Sequence, residues 1–419
     1  MENLMTNLPQ GWEVRRLEEI TNIKGGKRLP KGEKLLDDNT KFAYIRVADF
    51  QDNGTVNLKN IKFINENAYN ILKNYKIYDD NLYISIAGTI GKSGIIPKEL
   101  NGSILTENAV KLEYIQNNIS NKFMYFFTLS NMFKTQIQIS TKIVTQPKLA
   151  ITRLKQIEIP LPPLKEQERI VGILDESFAK IDESIKILEQ DLLNLDELMQ
   201  SALQKAFNPL KDNAKENYKL PQGWEWKSLG EICFITDGTH KTPNYIKTGI
   251  PFLSVKNISK GFFDLSDVKY ISLEEHNKLI KRAEPEFGDI LICRIGTLGK
   301  AIKISLEFEF SIFVSLGLLK PKVKIISDYL VYFLNSCFIE GWIDNNKVGG
   351  GTHTAKLNLN ILEKCPIALP PFKEQKKIAS YLDELSSNVK NLKQNYQMQI
   401  KNLQELKKSL LDKAFQGRL

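Results

Sequence analysis

The chain is written twice, and nothing else about it restricts the possible folds as much. Leu8-Pro9-Gln10-Gly11-Trp12-Glu13 returns as Leu220-Pro221-Gln222-Gly223-Trp224-Glu225, and Gly88-Thr89-Ile90-Gly91-Lys92 returns as Gly296-Thr297-Leu298-Gly299-Lys300. Leu161-Pro162-Pro163-Leu164-Lys165-Glu166-Gln167 matches Leu369-Pro370-Pro371-Phe372-Lys373-Glu374-Gln375, and Lys205-Ala206-Phe207 matches Lys413-Ala414-Phe415. The offset is 212 at the first block and 208 at the later ones, so one small length difference near the start separates the copies. A chain that repeats its framework in this order folds as two like units. At 419 residues it also exceeds what one core usually serves. Residues 97–145 and 305–350 share little, so the framework was kept while some surfaces diverged.

Within each half the hydrophobic period changes partway. The opening 150 or so residues mix short β-branched and aromatic runs, such as Phe42-Ala43-Tyr44-Ile45-Arg46-Val47 and Leu82-Tyr83-Ile84-Ser85-Ile86, with turn clusters. That pattern reads as an α/β or α+β globule, and we take it as α+β. After Pro163 the spacing alternates between four and three through Leu174, Phe178, Ile181, Ile185, Leu188, Leu192, Leu195, Met199, Ala202 and Ala206, which is a heptad seam. Pro163 suits a first helical turn and Pro209 marks a stop. The second copy repeats the seam with Leu382, Val389, Tyr396, Leu403 and Leu410 at every seventh position. Forty-four residues from Leu164 to Phe207 would make a helix of about 66 Å at 1.5 Å per residue.

Charge divides along the same boundaries. Counting Lys and Arg against Asp and Glu, the globular segment 1–160 carries +6, the helical segment 161–212 carries −5, the second globular segment 213–364 carries +3 and the last helix, 365–419, carries +5. One long helix is acidic and the other basic, so flanking charges favour pairing them within the chain. Both globules are basic, and the whole chain at +9 with a pI near 9.0 suits a polyanionic partner. No run reaches the roughly 18 apolar residues of a membrane helix, and the start lacks a basic segment followed by an apolar one, so neither insertion nor secretion is expected. Cys233, Cys293, Cys337 and Cys365 are far apart with no Cys-x-x-Cys pair, which fits a reducing cytoplasm.

The usual signatures of catalysis are missing. Gly91-Lys92-Ser93 resembles the end of a phosphate-binding loop, but Ile86 stands where the loop needs its first glycine, and the second copy ends in Ala301. Both Pro-Pro pairs follow leucine, at Leu161 and Leu369, whereas amino-group methyltransferases place a polar residue before Pro-Pro-aromatic to hold the target amine. There is no Pro-Asp, His-Glu-x-x-His or Gly-x-Ser-x-Gly motif, and three histidines leave little for acid–base work. No spacing joins histidine and cysteine into a metal site.

What remains is suited to binding. The Gly-Thr-x-Gly-Lys blocks follow alternating apolar runs, so their glycines make a tight turn between strands, and the same turn could grip a phosphate through backbone N–H groups and Lys92 or Lys300. Trp12 and Trp224, in matching Pro-Gln-Gly-Trp blocks, read as packing anchors ahead of base-stacking platforms. His240, in Asp237-Gly238-Thr239-His240-Lys241-Thr242-Pro243, and His353, in Gly351-Thr352-His353-Thr354, sit in loops where ordinary hydrogen bonding or nucleic-acid contact would serve. Arg46 and Arg294 fall in strand-like segments, from which arginine could read guanine or simply face solvent.

In their duplicated order, two globules each followed by a Leu-Pro-Pro-[Leu/Phe]-Lys-Glu-Gln helix ending in Lys-Ala-Phe, with Asp-Gly-Thr-His-Lys-Thr-Pro in one copy, the motifs resemble the specificity subunit of type I restriction-modification systems. The resemblance spans nearly the whole chain. It implies two target recognition domains, each reading one half of a split, asymmetric DNA site. It also implies long helices paired as an antiparallel coiled coil, no catalytic centre in this chain, two modification subunits carrying S-adenosylmethionine docked on the frame, and restriction subunits able to join. The expected DNA contacts are Lys24, Lys27, Arg28, Arg46, Thr89 and Lys92 in the first half, with Thr239, His240, Lys241, Lys256, Arg294, Thr297, Lys300 and His353 in the second. The first half has Asn22-Ile23-Lys24-Gly25-Gly26-Lys27-Arg28-Leu29-Pro30 where the second has the histidine loop, so contacts should not transfer directly. Ile173, Ile187 and Leu193 are apolar at heptad positions c, c and b with Leu188 at d, which suits them to partner docking, to packing on this chain's own globules, or to the scatter of ordinary surface hydrophobes. Two rivals stay open: a coiled-coil scaffold that binds only proteins, excluded by salt-dependent DNA affinity, and a specificity subunit for a fused methylase-nuclease, identified by its neighbouring genes.

Overall fold

A computed structural model describes residues 8–38, 40–141, 148–207, 220–350 and 355–419. The chain forms two compact units, one of residues 1–188 with 397–419 and the other of residues 189–396. Each long helix is therefore shared: its first part belongs to the unit it leaves and its last part to the other.

The first unit opens with β1 (Glu13–Arg16), β2 (Thr21–Gly25), β3 (Ala43–Ile45), β4 (Lys62–Phe63) and β5 (Lys76–Ile77). It continues with β6 (Leu82–Ser85), β7 (Ser93–Ile95), β8 (Ser103–Leu105), β9 (Ala109–Tyr114) and β10 (Glu158–Leu161). An antiparallel sheet in the order β2-β9-β6-β7 and a mixed sheet in the order β4-β3-β8-β5, with β3 and β8 parallel, hold the core, while β1 and β10 make a separate ribbon. The second unit uses β11 (Glu225–Ser228), β12 (Cys233–Asp237), β13 (Ile250–Leu253), β14 (Lys269–Ile271) and β15 (Ile290–Cys293), then β16 (Ala301–Lys303), β17 (Ser311–Ile312), β18 (Leu316–Pro321) and β19 (Pro366–Leu369). Its sheets run β12-β18-β15-β16 and β14-β13-β17, with β13 and β17 parallel, and β11 pairs with β19. The two topologies match strand for strand apart from β5. The stretches that look unrelated in sequence also match: helices Asn121–Leu129 and Asn131–Thr141 answer to Ser327–Leu334 and Cys337–Asn346. Divergence there changed side chains without changing the fold.

The long helices run from Leu164 to Phe207 and from Phe372 to Phe415, each beginning directly after a Pro-Pro pair as the motif predicts; the expected stop at Pro209 lies outside the described residues. The structure explains why the motif ends in glutamine. Gln167 is buried, donating from Nε2 to Pro162 O (2.9 Å) and Asn118 O (3.1 Å) and accepting from Ser120 N (2.8 Å). Gln375 does the same with Pro370 O (2.8 Å) and Ile326 N (3.0 Å). A side-chain amide that satisfies buried backbone groups on both sides fixes the angle at which each helix leaves its globule.

Aromatic plugs fasten the far ends. Phe415 is fully buried in the first unit, its ring 5.1 Å from Phe123 and 5.4 Å from Phe127, and Phe207 sits in the second, 5.2 Å from Phe333 and 5.8 Å from Tyr329. The predicted seam faces inward: Leu174, Ile181, Leu195, Ala202, Leu382 and Val389 are buried and the other seam residues half-buried. Helix pairing is antiparallel in each unit. In the first, Arg169 Nη2 donates to Leu419 O (3.0 Å) and Lys407 Nζ reaches Asp182; in the second, Lys393 reaches Asp196. Each bridge joins the acidic helix to the basic one. Trp12 and Trp224 pack against the cores, as anchors should, and Trp224 Nε1 donates to Glu374 (3.1 Å). No described helix is long and apolar enough to cross a membrane.

Candidate nucleic-acid interface

In the second unit four segments meet at one edge of the fold. β12 ends at Asp237, whose carboxylate is 2% exposed, and the chain turns through Gly238, where a Cβ would overlap the Ile312 carbonyl; only glycine fits. Thr239 N donates to Ile312 O (3.1 Å) and Val314 N to Thr239 O (3.0 Å), which pins the loop and leaves His240 and Lys241 exposed. The second segment is the turn after β15. Gly296 and Gly299 take φ values of +86° and +81°, Thr297 is exposed at the tip and Lys300 is half-buried. Third comes the stretch after β13, where Val255 N donates to Ser315 Oγ (3.1 Å) and Lys256 is exposed. The last is the strand-like pair of Val348 with Lys356 at the base of a loop; His353 lies outside the described residues.

Arg294 joins these segments, which corrects its expected role. Its guanidinium is buried, donating to Asp237, to Leu357 O (3.0 Å) and to Val314 O (3.3 Å), so it cannot also meet a base. Asp237 Oδ1 accepts from Arg282, through Nη2 and through Nε at 3.2 Å, while Oδ2, which takes Arg294, also lies 3.2 Å from His240 Nε2. Burial pushes the Asp237 carboxyl up, but the hydrogen bond from Arg282 and the charge of Arg294 more than offset it and hold it below the ordinary range. Arg282 was not foreseen. It sits 45 residues from Asp237, on the loop after Leu273–Leu279, and no local pattern marks it.

The first unit keeps the backbone and changes the chemistry. Gly26 fills the position of Gly238, with a Cβ there overlapping the Thr106 carbonyl, so Lys27 and Arg28 stand where Thr239 and His240 do. Arg28 Nε donates to Glu107 (2.8 Å), which also accepts from Thr106 Oγ1 (3.0 Å), and Tyr44 OH donates to Lys27 O (2.8 Å). Burial raises the Glu107 carboxyl, yet Arg28 brings it below the usual range. Lys24 pairs with Glu113 (2.5 Å) on the sheet. Arg46 is also corrected: its backbone N–H and guanidinium both bind Asp49, and Nη2 reaches Asn60 O (3.0 Å), so it caps a short turn just past β3. Ile86, buried, occupies the place of Arg294; its carbonyl accepts from Leu149 N (2.8 Å) as that of Arg294 accepts from Leu357 N (2.9 Å). One unit thus centres this edge on a buried ion pair and the other on a hydrocarbon.

Each Gly-Thr-x-Gly-Lys turn lines an open cleft, against helix Asn131–Thr141 in the first unit and helix Cys337–Asn346 in the second. The second unit's cleft, about 750 Å³, places Lys256, Thr297 and Lys347 together with Glu340 and Asp344. That of the first, about 390 Å³, holds Thr89, Lys92 and Lys134 with Asp52, and Lys92 Nζ lies 2.8 Å from Asp52. The structure therefore brings Thr89 with Lys92 and Lys256 with Thr297, while Lys27–Arg28 and Thr239–Lys241 form the neighbouring loops. Among the described residues no group of three or more His, Cys, Asp or Glu is placed to hold a metal. On the helices Ile187 and Leu193 are 55% and 57% exposed, whereas Ile173 is half-buried. Ile187 borders a groove of about 480 Å³ with Leu188 and Leu403, all in the first unit.

A duplicated mixed fold with helices shared between its halves defines a modular protein whose halves keep one backbone and differ in side chains. The chain belongs to the family of the type I restriction modification DNA specificity domain, whose pattern matches residues 9–192 and again 221–402. The EcoBI specificity subunit of Escherichia coli is 25% identical to all of this chain over 88% of its own length, and the EcoKI specificity subunit of E. coli K12 is 23% identical over 98% of this chain and 90% of its own. The fold is shared with a chain solved in a study of assembly and conformational transition of the type I R-M system, at TM-score 0.77 and 22% identity, covering 99% of this chain and 100% of that one. It is also shared with the HsdS subunit of Thermoanaerobacter tengcongensis, at 0.64 and 22%, covering 99% of each.

Proposed function

We propose that this chain is the DNA-specificity subunit of a type I restriction-modification complex, each unit reading one half of a split, asymmetric site. The observation that carries this reading is the family pattern recurring over both units while the loops at equivalent places differ: Lys27-Arg28 against Thr239-His240, and Ile86 against Arg294. Equal backbones with unequal side chains suit two half-sites of unequal sequence. Exposed Lys and Arg around the clefts supply phosphate contacts that position the duplex, and the loops supply base contacts. The chain itself contributes recognition and no chemistry. Methylation and cleavage fall to partners: two modification subunits, which bring S-adenosylmethionine, and restriction subunits, all working in the cytoplasm. Ile187 and Leu193 offer those partners an apolar foothold on the helices.

The test is a map of methylated bases in DNA from a host with and without the gene. A bipartite, asymmetric motif methylated only when the gene is present is the expected result. A continuous or palindromic motif would overturn the reading.

A further inference from the structure

We infer that Asp237 is a positioning residue for base reading, through which buried Arg294 holds the exposed Arg282 and His240 in one orientation toward a guanine of the second unit's half-site. The inference rests on the proposed recognition function and names the group that sets one of its contacts. A buried carboxylate this close to three basic groups is more than a loop needs, since the first unit holds the same backbone with Ile86 and no ion pair at that point. What the carboxylate adds is direction. Its Oδ2 is fixed by Arg294, itself tied to Leu357 O and Val314 O, and lies 3.2 Å from His240 Nε2. Its Oδ1 takes Nε and Nη2 of Arg282, and Nη2 also lies 3.5 Å from His240 Nε2. Arg282 and His240 are side by side, 54% and 63% exposed, at the edge where Thr239 and Lys241 emerge.

A guanidinium carries five N–H donors in a rigid plane. With Nε and part of Nη2 committed to Asp237, the Nη1 end remains for a ligand. Guanine presents paired acceptors, O6 and N7, on its major-groove edge, which is the arrangement a planar fork of donors matches. An arginine free to rotate would lose much of that discrimination; one clamped from behind pays little further ordering entropy on contact. In the first unit Arg28, at the place of His240, is held by Glu107, a carboxylate from a different segment.

The experiment uses the full chain in its complex with modification subunits, comparing wild type, Asp237→Asn and Arg282→Ala by methylation mapping and by affinity for matched and single-substituted duplexes. Both variants should relax the same G·C position in one half-site, with roughly 10- to 100-fold loss of discrimination there, and leave the other half-site as in wild type. An unchanged map overturns the inference, as does degeneracy at different positions in the two variants or a uniform loss of affinity for every duplex. Arg282 is exposed, so if Asp237→Asn yields no folded complex, Arg282→Ala decides alone. A wild-type complex whose methylation did not depend on this chain would instead remove the recognition function itself.

Discussion

Lys407 Nζ lies 2.6 Å from Asp182 Oδ1, and it also stands 4.7 Å from the centre of the Phe178 ring, so one cation of the basic helix engages both an acid and an aromatic of the acidic helix. Asp182 is 61% exposed, which keeps the ion pair's own contribution small. Lys407→Glu should nonetheless destabilise the protein by about 1 kcal/mol, because it replaces attraction with like-charge repulsion and removes the cation–π contact. Adding Asp182→Lys should recover part of the loss, and a double-mutant cycle by chemical denaturation measures how much.

Phe415→Ala and Phe207→Ala should each cost about 3–5 kcal/mol, since both rings are buried among other aromatics. The two should act on different units. Hydrogen exchange would show Phe415→Ala loosening the β2-β9-β6-β7 sheet and Phe207→Ala loosening β12-β18-β15-β16.

Gly26→Ala and Gly238→Ala should be more damaging than ordinary loop substitutions, by more than about 2 kcal/mol, because the added Cβ meets a backbone carbonyl that is itself hydrogen-bonded in the sheet edge. Gly88→Ala meets nothing within 4 Å and pays only for its φ of +75°, so it should cost less, about 1 kcal/mol. Thermal unfolding ranks the three.

Stability should change with acidity through Asp237. Its folded value is depressed, so it contributes stability above the unfolded carboxyl value near 4 and loses it as pH falls through the folded value. Wild type should be insensitive to this group from pH 5 to 8. Arg294→Met leaves the carboxylate buried with Arg282 and His240 alone, which raises its folded value; the stabilisation should shrink at neutral pH, and the difference from wild type should close at low pH. Denaturation at several pH values tests the sign.

The duplication, the helix starts after Pro163 and Pro371, the inward seam and the tryptophan anchors were all legible because each is a local or periodic pattern. Arg294 was not. An arginine at a strand end reads the same whether it faces solvent or a carboxylate, and its partner Asp237 is 57 residues away. Arg46 was misread for a related reason: Asp49 is only three residues distant, but its backbone contact with Arg46 becomes visible only in the turn geometry. The common fold of residues 97–141 and 305–350 was hidden too, because burial requires apolar side chains at given places without dictating which ones.

Charged replacement of Ile187, as Ile187→Glu, should weaken co-purification with a modification subunit while leaving the melting temperature within about 1 °C, since a 55% exposed side chain adds little to the fold. Ile173→Glu should instead lower the melting temperature, being half-buried. Undiminished co-purification of the Ile187 variant would remove the foothold assigned to it.

The placement of Phe415 also sets an order of events during synthesis. The core of the first unit includes Leu411, Ala414 and Phe415, yet residues 189–396, which make up the whole second unit, are translated before them. Domains usually mature from the N-terminus as the ribosome proceeds. Here the first-made globule must wait with an apolar gap between Phe123 and Phe127 until the last turn of the second helix emerges, whereas the second already has Phe207 to hand. A nascent chain halted before residue 411 should therefore protect its later half from protease and leave its earlier half open.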